Sequence, residues 1–310
     1  PYKHFVRYGL VPKREQRPGV DAAELGTLYH EAAERFTHAV TALPEFPEVS
    51  VEVCDKLMDE AVSPLIDAWR ESPMGESRRG EAVARRIRRT AKRTARNIVS
   101  QYADSSFRPV QMEFVFGQNG LSPIVLELGD GTFVYLQGRI DRVDVMTGGG
   151  LRVIDYKSGS RKFDPTLVYW GLQLQLLLYL AAALARVPGS HAAGFFYCRI
   201  ADPTVQTESR IREEVERQIA KKLALSGISL SDVTILRAQG GQQAAMVTKD
   251  GKPNGRFAAS MVDEAGMEKL LTFARNKAAA LADEIYAGEI DDSPVERETF
   301  NACQNCEYSA

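Results

Sequence analysis

From Val110 onward the apolar residues of this chain fall into strand-like segments, VQMEFVFG, SPIVLELG, TFVYLQGRIDRVDV and LRVIDYKSG, whereas residues 44 to 107 read as helical. Four successive segments rich in β-branched and aromatic residues, bounded by glycine clusters, commit the middle of the chain to a sheet with antiparallel neighbours. Breaks in the helical region are predicted at Pro44, Pro47, Pro64 and over Pro73 to Gly80. Ahead of it, Asp21-Ala22-Ala23-Glu24 has the form of a capping box that opens a helix to about Val40. Residues 1 to 20, basic, aromatic and interrupted by Pro12 and Pro18, read as irregular. After the sheet, the apolar stretch from Tyr169 to Ala185 predicts a buried helix, HAAGFFYCRI one more strand, and Asp263 to Ala287 a last helix. Between Gly227 and Asp263 glycine and glutamine are frequent and the pattern is weak, which predicts a peripheral insertion or flexible loop over about 228–262. The whole reads as one α/β domain with a helical insertion over about 44–107.

The chemistry sits in the last two strand segments, which carry Asp141 and then Asp155 and Lys157. Side chains in a strand alternate faces, so Asp155 and Lys157 project to one side and Tyr156 to the other. Thr147-Gly148-Gly149-Gly150 is a hairpin signal, and a hairpin brings Asp141 beside Asp155. Two adjacent carboxylates raise each other's pKa unless a cation lies between them, and a hard ion such as Mg²⁺ or Mn²⁺ suits oxygen donors. A lysine beside such a site can place a water or offset charge on phosphoryl oxygens. The bland reading is a surface Asp/Lys ion pair. His30 adds a second candidate ligand, on a helix in the arrangement Gly26-x-x-x-His30-x-x-x-Glu34. Glu113 lies in the first strand on a face with Gln111 and Val115. Gln175 and Tyr179 stand one turn apart in an otherwise apolar helix, so they need polar partners.

Composition removes several classes. With 44% hydrophobic residues and a net charge of -2 the chain has a core and no global basic bias. No run approaches a membrane span, no signal-peptide pattern opens the chain, and no G-x-x-x-x-G-K-[ST] loop marks a motor. A cytoplasmic location with no membrane partner is expected. A first residue of proline rather than methionine suggests a piece of something longer. Charge is uneven: nine cations lie between Arg78 and Arg96, opposed only by Glu81. Arg85, Arg89, Lys92, Arg93 and Arg96 make the outer face of an amphipathic helix suited to nucleic-acid phosphates, or else a face that docks on acidic surface. Cys54 and Cys198 read as core residues. Cys303-x-x-Cys306 has the spacing of a metal or cluster half-site, the alternative being a surface or redox dithiol.

Taken in order, Gly26-x-x-x-His30, Glu113, Gly138-Arg139-Ile140-Asp141-Arg142, Asp155-Tyr156-Lys157-Ser158-Gly159 and Gln175-Leu176-x-x-Tyr179 resemble the RecB-type branch of the PD-(D/E)xK nucleases. The flanking PYKHFVRYGLVPK, LSGISLSDVTIL and terminal ACQNCEYSA are similar to the C-terminal nuclease domain of the AddB family, subunits of bacterial helicase-nucleases. The resemblance implies a restriction-endonuclease-like core, a mixed central sheet flanked by helices. It implies His30, Asp141, Asp155 and the Tyr156 backbone carbonyl as metal ligands, Lys157 as catalytic lysine, and Glu113, Gln175 and Tyr179 in support. It further implies Mg²⁺-dependent cleavage of single-stranded DNA, at duplex ends unwound by an AddA-like partner subunit, in recombinational repair. A [4Fe-4S] cluster is implied as well, for which this chain offers only Cys303 and Cys306 of four cysteines. Two other readings are a DNA-binding scaffold with a silent site and a stand-alone RecB-like exonuclease of CRISPR adaptation.

Overall fold

The computed structural model describes residues 1–12, 22–72, 75–118, 121–159, 162–206, 211–297 and 300–305. A single turn, Tyr2–His4 (α1), leads into a wider turn over Phe5–Leu10. Three long helices follow: Ala22–Thr41 (α2), Val51–Arg70 (α3) and Arg78–Ala103 (α4). Ser50 and Ser77 cap the last two by accepting from the Val53 and Gly80 amides. Asp21, the predicted cap of α2, lies outside the described residues. The helical insertion is thus the α3–α4 pair, and one expected break is absent, since α3 runs through Pro64. Pro64 and Glu60 both lie on the exposed side of the helix, where water can satisfy the carbonyl that Pro64 leaves without its amide partner.

The sheet is built from Phe107–Phe116 (β1), Gly138–Met146 (β4), Gly150–Lys157 (β5), His191–Arg199 (β6), Ser226–Leu230 (β7) and Met261–Val262 (β8), in the order β1-β4-β5-β6-β7-β8. A separate hairpin, Ile124–Glu127 (β2) with Phe133–Leu136 (β3), lies between the first two. Antiparallel pairing holds for β1-β4, β4-β5 and β6-β7, while β5-β6 and β7-β8 are parallel, so the sheet is mixed. The parallel step needs a crossover, supplied by Pro165–Tyr169 (α5) and Gln175–Arg186 (α6). The apolar run from Tyr169 is therefore not one helix. Gly171, at φ +77°, turns the chain, and α6 begins only at Gln175.

The stretch expected to be peripheral or flexible instead supplies β7 and β8 and the short helix Val233–Ala238 (α8), which follows Arg212–Lys222 (α7). Its glutamines explain the weak pattern, because they hydrogen-bond backbone: Gln239 Nε2 donates to the Ala193 carbonyl at 3.3 Å and Gln243 Nε2 to that of Leu225 at 3.0 Å. The last long helix is Glu264–Tyr286 (α9), capped by Asp263.

Each face of the sheet has its own core. Leu28, Phe36, Val62, Ile66, Ile87, Ile98 and Tyr102 of α2–α4 pack on Met112, Ile154, Tyr156 and Phe196. On the other side Leu176, Leu177 and Leu180 of α6, with Met267 and Ala274 of α9, pack on Phe114, Ile140, Val153 and Phe195. Two fully buried arginines sit under α4. Arg152 Nε donates to Asp144 Oδ2 at 2.9 Å, and Arg142 Nε lies 3.3 Å from Asp144 Oδ1. One carboxylate serves two guanidinium groups, and the remaining charge is spread over amide oxygens and rings. Arg142 reaches Gln101 Oε1 and the Tyr156 hydroxyl, Arg152 reaches Gln239 Oε1, and the two lie over the Tyr102 and Phe107 rings. Arg142 and Tyr156 are the immediate neighbours of Asp141 and of Asp155 and Lys157, so this network fixes the strands that carry them.

Candidate active site

Glu113 occupies a strand position with φ +48°, unusual for a residue with a side chain. Its effect is a change of face. Met112 joins the α2–α4 core while Phe114, two residues on, joins the α6–α9 core, and Ile140 and Arg142 are divided in the same way on β4. Glu113 therefore does not share a simple face with Gln111 and Val115. It turns into the site opposite Asp141. A ligand atom from each of His30, Glu113 and Asp141 lies within 4.8 Å of the others. Such backbone conformations cost about 1–3 kcal/mol and recur where function requires them.

The β4-β5 ladder ends at Arg142↔Ile154, whereas β4 stays paired to β1 as far as Gly138 and β5 to β6 as far as Lys157. Beyond that rung the two strands diverge, and the site lies in the fork. Asp141 spans it: Oδ2 accepts the Tyr156 backbone N–H at 2.6 Å, and Oδ1 lies 3.2 Å from His30 Nδ1. On the other prong Lys157 Nζ is 2.5 Å from Asp155 Oδ2 and donates to Gln175 Oε1 at 3.3 Å, while Gln175 Nε2 donates to the Tyr179 hydroxyl at 2.8 Å. The six side chains His30, Glu113, Asp141, Asp155, Lys157 and Gln175 thus converge with Tyr179, while the Tyr156 ring is buried on the opposite face. Gly26 faces the same region, since a Cβ there would meet only Ser158 Oγ, at 3.9 Å.

Burial and then the Asp141 charge push Glu113 up to about 7, opposed by Arg139. The same two causes push Asp155 up to about 6, opposed by Lys157. Burial alone would lower His30, but its hydrogen bond to Asp141 and the two aspartate charges leave it raised. The buried Asp155 Oδ2 also makes no hydrogen bond among the described residues. Crowded carboxylates with an orphaned oxygen and one imidazole fit a hard divalent ion.

A family model described as the PD-(D/E)XK nuclease superfamily matches residues 1–310. The chain belongs to that superfamily. Its relatives include the ATP-dependent helicase/deoxyribonuclease subunits B of Alkaliphilus metalliredigens, 32% identical over 328 residues, and of Caldanaerobacter subterraneus subsp. tengcongensis, 33% identical over 327 residues. Each match covers 100% of this chain and 28% of the relative, so the chain spans just over a quarter of their length.

In this nuclease the basic helix is mostly spoken for. Arg89 pairs with Asp202 at 2.5 Å, Lys92 with Asp59 at 2.5 Å, Arg93 with Asp202 and Glu216, and Arg96 with both oxygens of Asp55. Four of the five cations expected to face phosphates hold the helix to its own domain instead, the acidic docking weighed from sequence. Arg85 is exposed and has no ion pair among the described residues. Cys303 is exposed on a short turn, Cys306 lies outside the described residues, and Cys54 and Cys198 are buried. The chain lacks a full cluster donor set, and no step below runs through one. Among the described residues no helix is long and apolar enough to cross a membrane.

The raised carboxyls give a signed pH dependence. A carboxyl raised by folding stabilises the protein fully below its unfolded pKa and loses that contribution as pH climbs through the folded value. For Glu113 the window runs from 4.5 to about 7. In EDTA, the urea midpoint of the wild type is expected to fall relative to that of Glu113→Gln between roughly pH 5 and pH 8. A difference that stays constant across the range would contradict the raised value.

Proposed function

We propose that this domain is a metal-dependent deoxyribonuclease that hydrolyses phosphodiester bonds of single-stranded DNA, working in a helicase-nuclease complex that repairs double-strand breaks by recombination. The convergence of His30, Glu113 and Asp141 with the Asp155-Lys157 pair in one fork carries this reading. His30, Glu113, Asp141 and Asp155 would hold Mg²⁺ or Mn²⁺, with the Tyr156 carbonyl as a further ligand. When bound, such an ion polarises the scissile phosphate and lowers the pKa of an attacking water.

The chain's own residues do the placing. The Lys157 ammonium, fixed between Asp155 and Gln175, offsets charge on the phosphoryl oxygens and orients the water. Tyr179 holds the Gln175 amide so that its oxygen faces the lysine. A helicase/deoxyribonuclease relative supports a DNA substrate, and the missing motor loop supports a separate helicase partner of the AddA type.

The test is Mg²⁺-dependent cleavage of labelled single-stranded DNA by the wild type, Asp155→Ala and Lys157→Ala. Loss of about 10²-fold or more is expected in both variants, the usual scale of positioned acid–base and charge catalysis. Equal rates in all three proteins would overturn the assignment, and binding without turnover in the wild type would favour a silent scaffold.

A further inference from the structure

Arg139 was quoted within the motif around Asp141 and given no role by its sequence. Its side chain is 64% exposed, directly ahead of the fully buried run from Ile140 to Asp144. An arginine at the mouth of a carboxylate site has an ordinary explanation as counter-charge. The geometry goes further. Arg139 touches Glu113 through Nε, at 2.7 Å from Oε2, and its two terminal nitrogens have no hydrogen bond or ion pair among the described residues. An arginine serving only as counter-charge gains most by presenting a planar fork to both carboxylate oxygens, as Arg96 does with Asp55. Arg139 is tethered at its elbow and leaves the terminal N–H groups free.

Its surroundings fix where those groups can work. Gly138, the preceding residue, lies against Phe116 and Tyr179: a Cβ there would come within 2.7 Å of the Phe116 ring and 3.4 Å of Tyr179 Cε1. That close approach brings the start of β4 beside the Gln175–Tyr179 pair, and the Arg139 charge is felt at Tyr179 as well as at Glu113. Arg139 thus stands between the His30-Glu113-Asp141 cluster and the Lys157-Gln175-Tyr179 chain. The unusual φ of Glu113 turns its carboxylate toward both the cluster and this arginine.

Resting on the nuclease reading, we propose that Arg139 is a phosphate-binding residue, held by Glu113 so that its terminal nitrogens take the non-bridging oxygens of the substrate strand at the site. Arginine suits this role and lysine does not, because only a guanidinium can be anchored through one nitrogen while presenting two others.

The test is equilibrium binding of a fluorescein-labelled single-stranded oligonucleotide in EDTA, followed by anisotropy over a range of salt, alongside KM and kcat with Mg²⁺. Arg139→Gln is expected to weaken binding about tenfold, the loss of one charge-assisted pair, and to reduce the log–log salt slope by about 0.7. Arg139→Lys should keep the slope and still lose most of the affinity. Arg88→Gln, at a residue paired with Asp59, removes the same charge and should leave affinity within about twofold. Wild-type affinity and slope in Arg139→Gln would overturn the proposal, even if its thermal stability changed, and so would failure of the wild type to bind the strand. Cleavage by the wild type with an unaffected Arg139→Gln sinks this inference alone. Tight Arg139-dependent binding with no turnover in Mg²⁺ or Mn²⁺ sinks the nuclease reading alone.

Discussion

Replacing Asp141 by asparagine is expected to reduce metal-dependent cleavage by about 10³-fold while leaving the metal-free protein at least as stable as the wild type. Both halves of that result follow from the same two oxygens. Asp141 supplies a carboxylate to the cluster with His30 and Glu113, and its Oδ2 takes the Tyr156 amide at 2.6 Å. Asparagine keeps the acceptor and the shape, so the fork stays closed where it should. It removes the charge that raises both Glu113 and Asp155, so in EDTA the crowding is relieved. Asp141→Ala separates the effects: activity falls as far, but the Tyr156 N–H loses its partner and stability drops by about 1–3 kcal/mol. More than a tenth of wild-type turnover in Asp141→Asn, measured at saturating Mg²⁺, would remove Asp141 from the metal-binding set.

The largest stability loss is expected away from the chemistry, at Asp144. This carboxylate is fully buried, accepts from the Tyr102 hydroxyl at 2.8 Å, and stands between Arg142 and Arg152. Asp144→Ala leaves two guanidinium groups in the core with only amide oxygens and ring faces around them. Breaking a buried ion pair from one side costs about 3–5 kcal/mol. Against a typical total of about 5–15 kcal/mol, that can leave the domain barely folded. Urea denaturation of Asp144→Ala measures it directly, and a loss below about 1 kcal/mol would show that the arginines are stabilised by their rings and amides alone. Replacing Arg142, Asp144 and Arg152 together by apolar residues should be milder than Asp144→Ala, because no unpaired charge is left behind.

What could be read from the chain depended on how local the cause was. The hairpin joining Asp141 to Asp155 followed from glycines and alternation, and the register Arg142↔Ile154 places those two carboxylates opposite each other. The α3–α4 insertion and the α9 boundaries were equally local. Glu113 escaped because nothing in its neighbours announces φ +48°, and strict alternation then assigns it the wrong face. The basic face of α4 was legible as a charge pattern but not as a set of partnerships, since Asp55, Asp59, Asp202 and Glu216 reach it only once the chain is folded. The start of α6 was missed because one glycine within an apolar run looks tolerable in a helix. In fact Gly171 makes the turn that delivers Gln175 to Lys157.

The unzipped end of the β4-β5 ladder has a mechanical meaning. His30, Glu113 and Asp141 ride on α2, β1 and β4, and Asp155 and Lys157 ride on β5, so the reacting groups belong to two jaws hinged at the Arg142↔Ile154 rung. Close to the hinge the jaws are joined by the Asp141–Tyr156 hydrogen bond. Alignment for chemistry is then set by the opening angle between two halves of one sheet. An ion gripped by both jaws would act as a clamp as well as a reagent, and a DNA strand entering the notch would feel the jaws close on it.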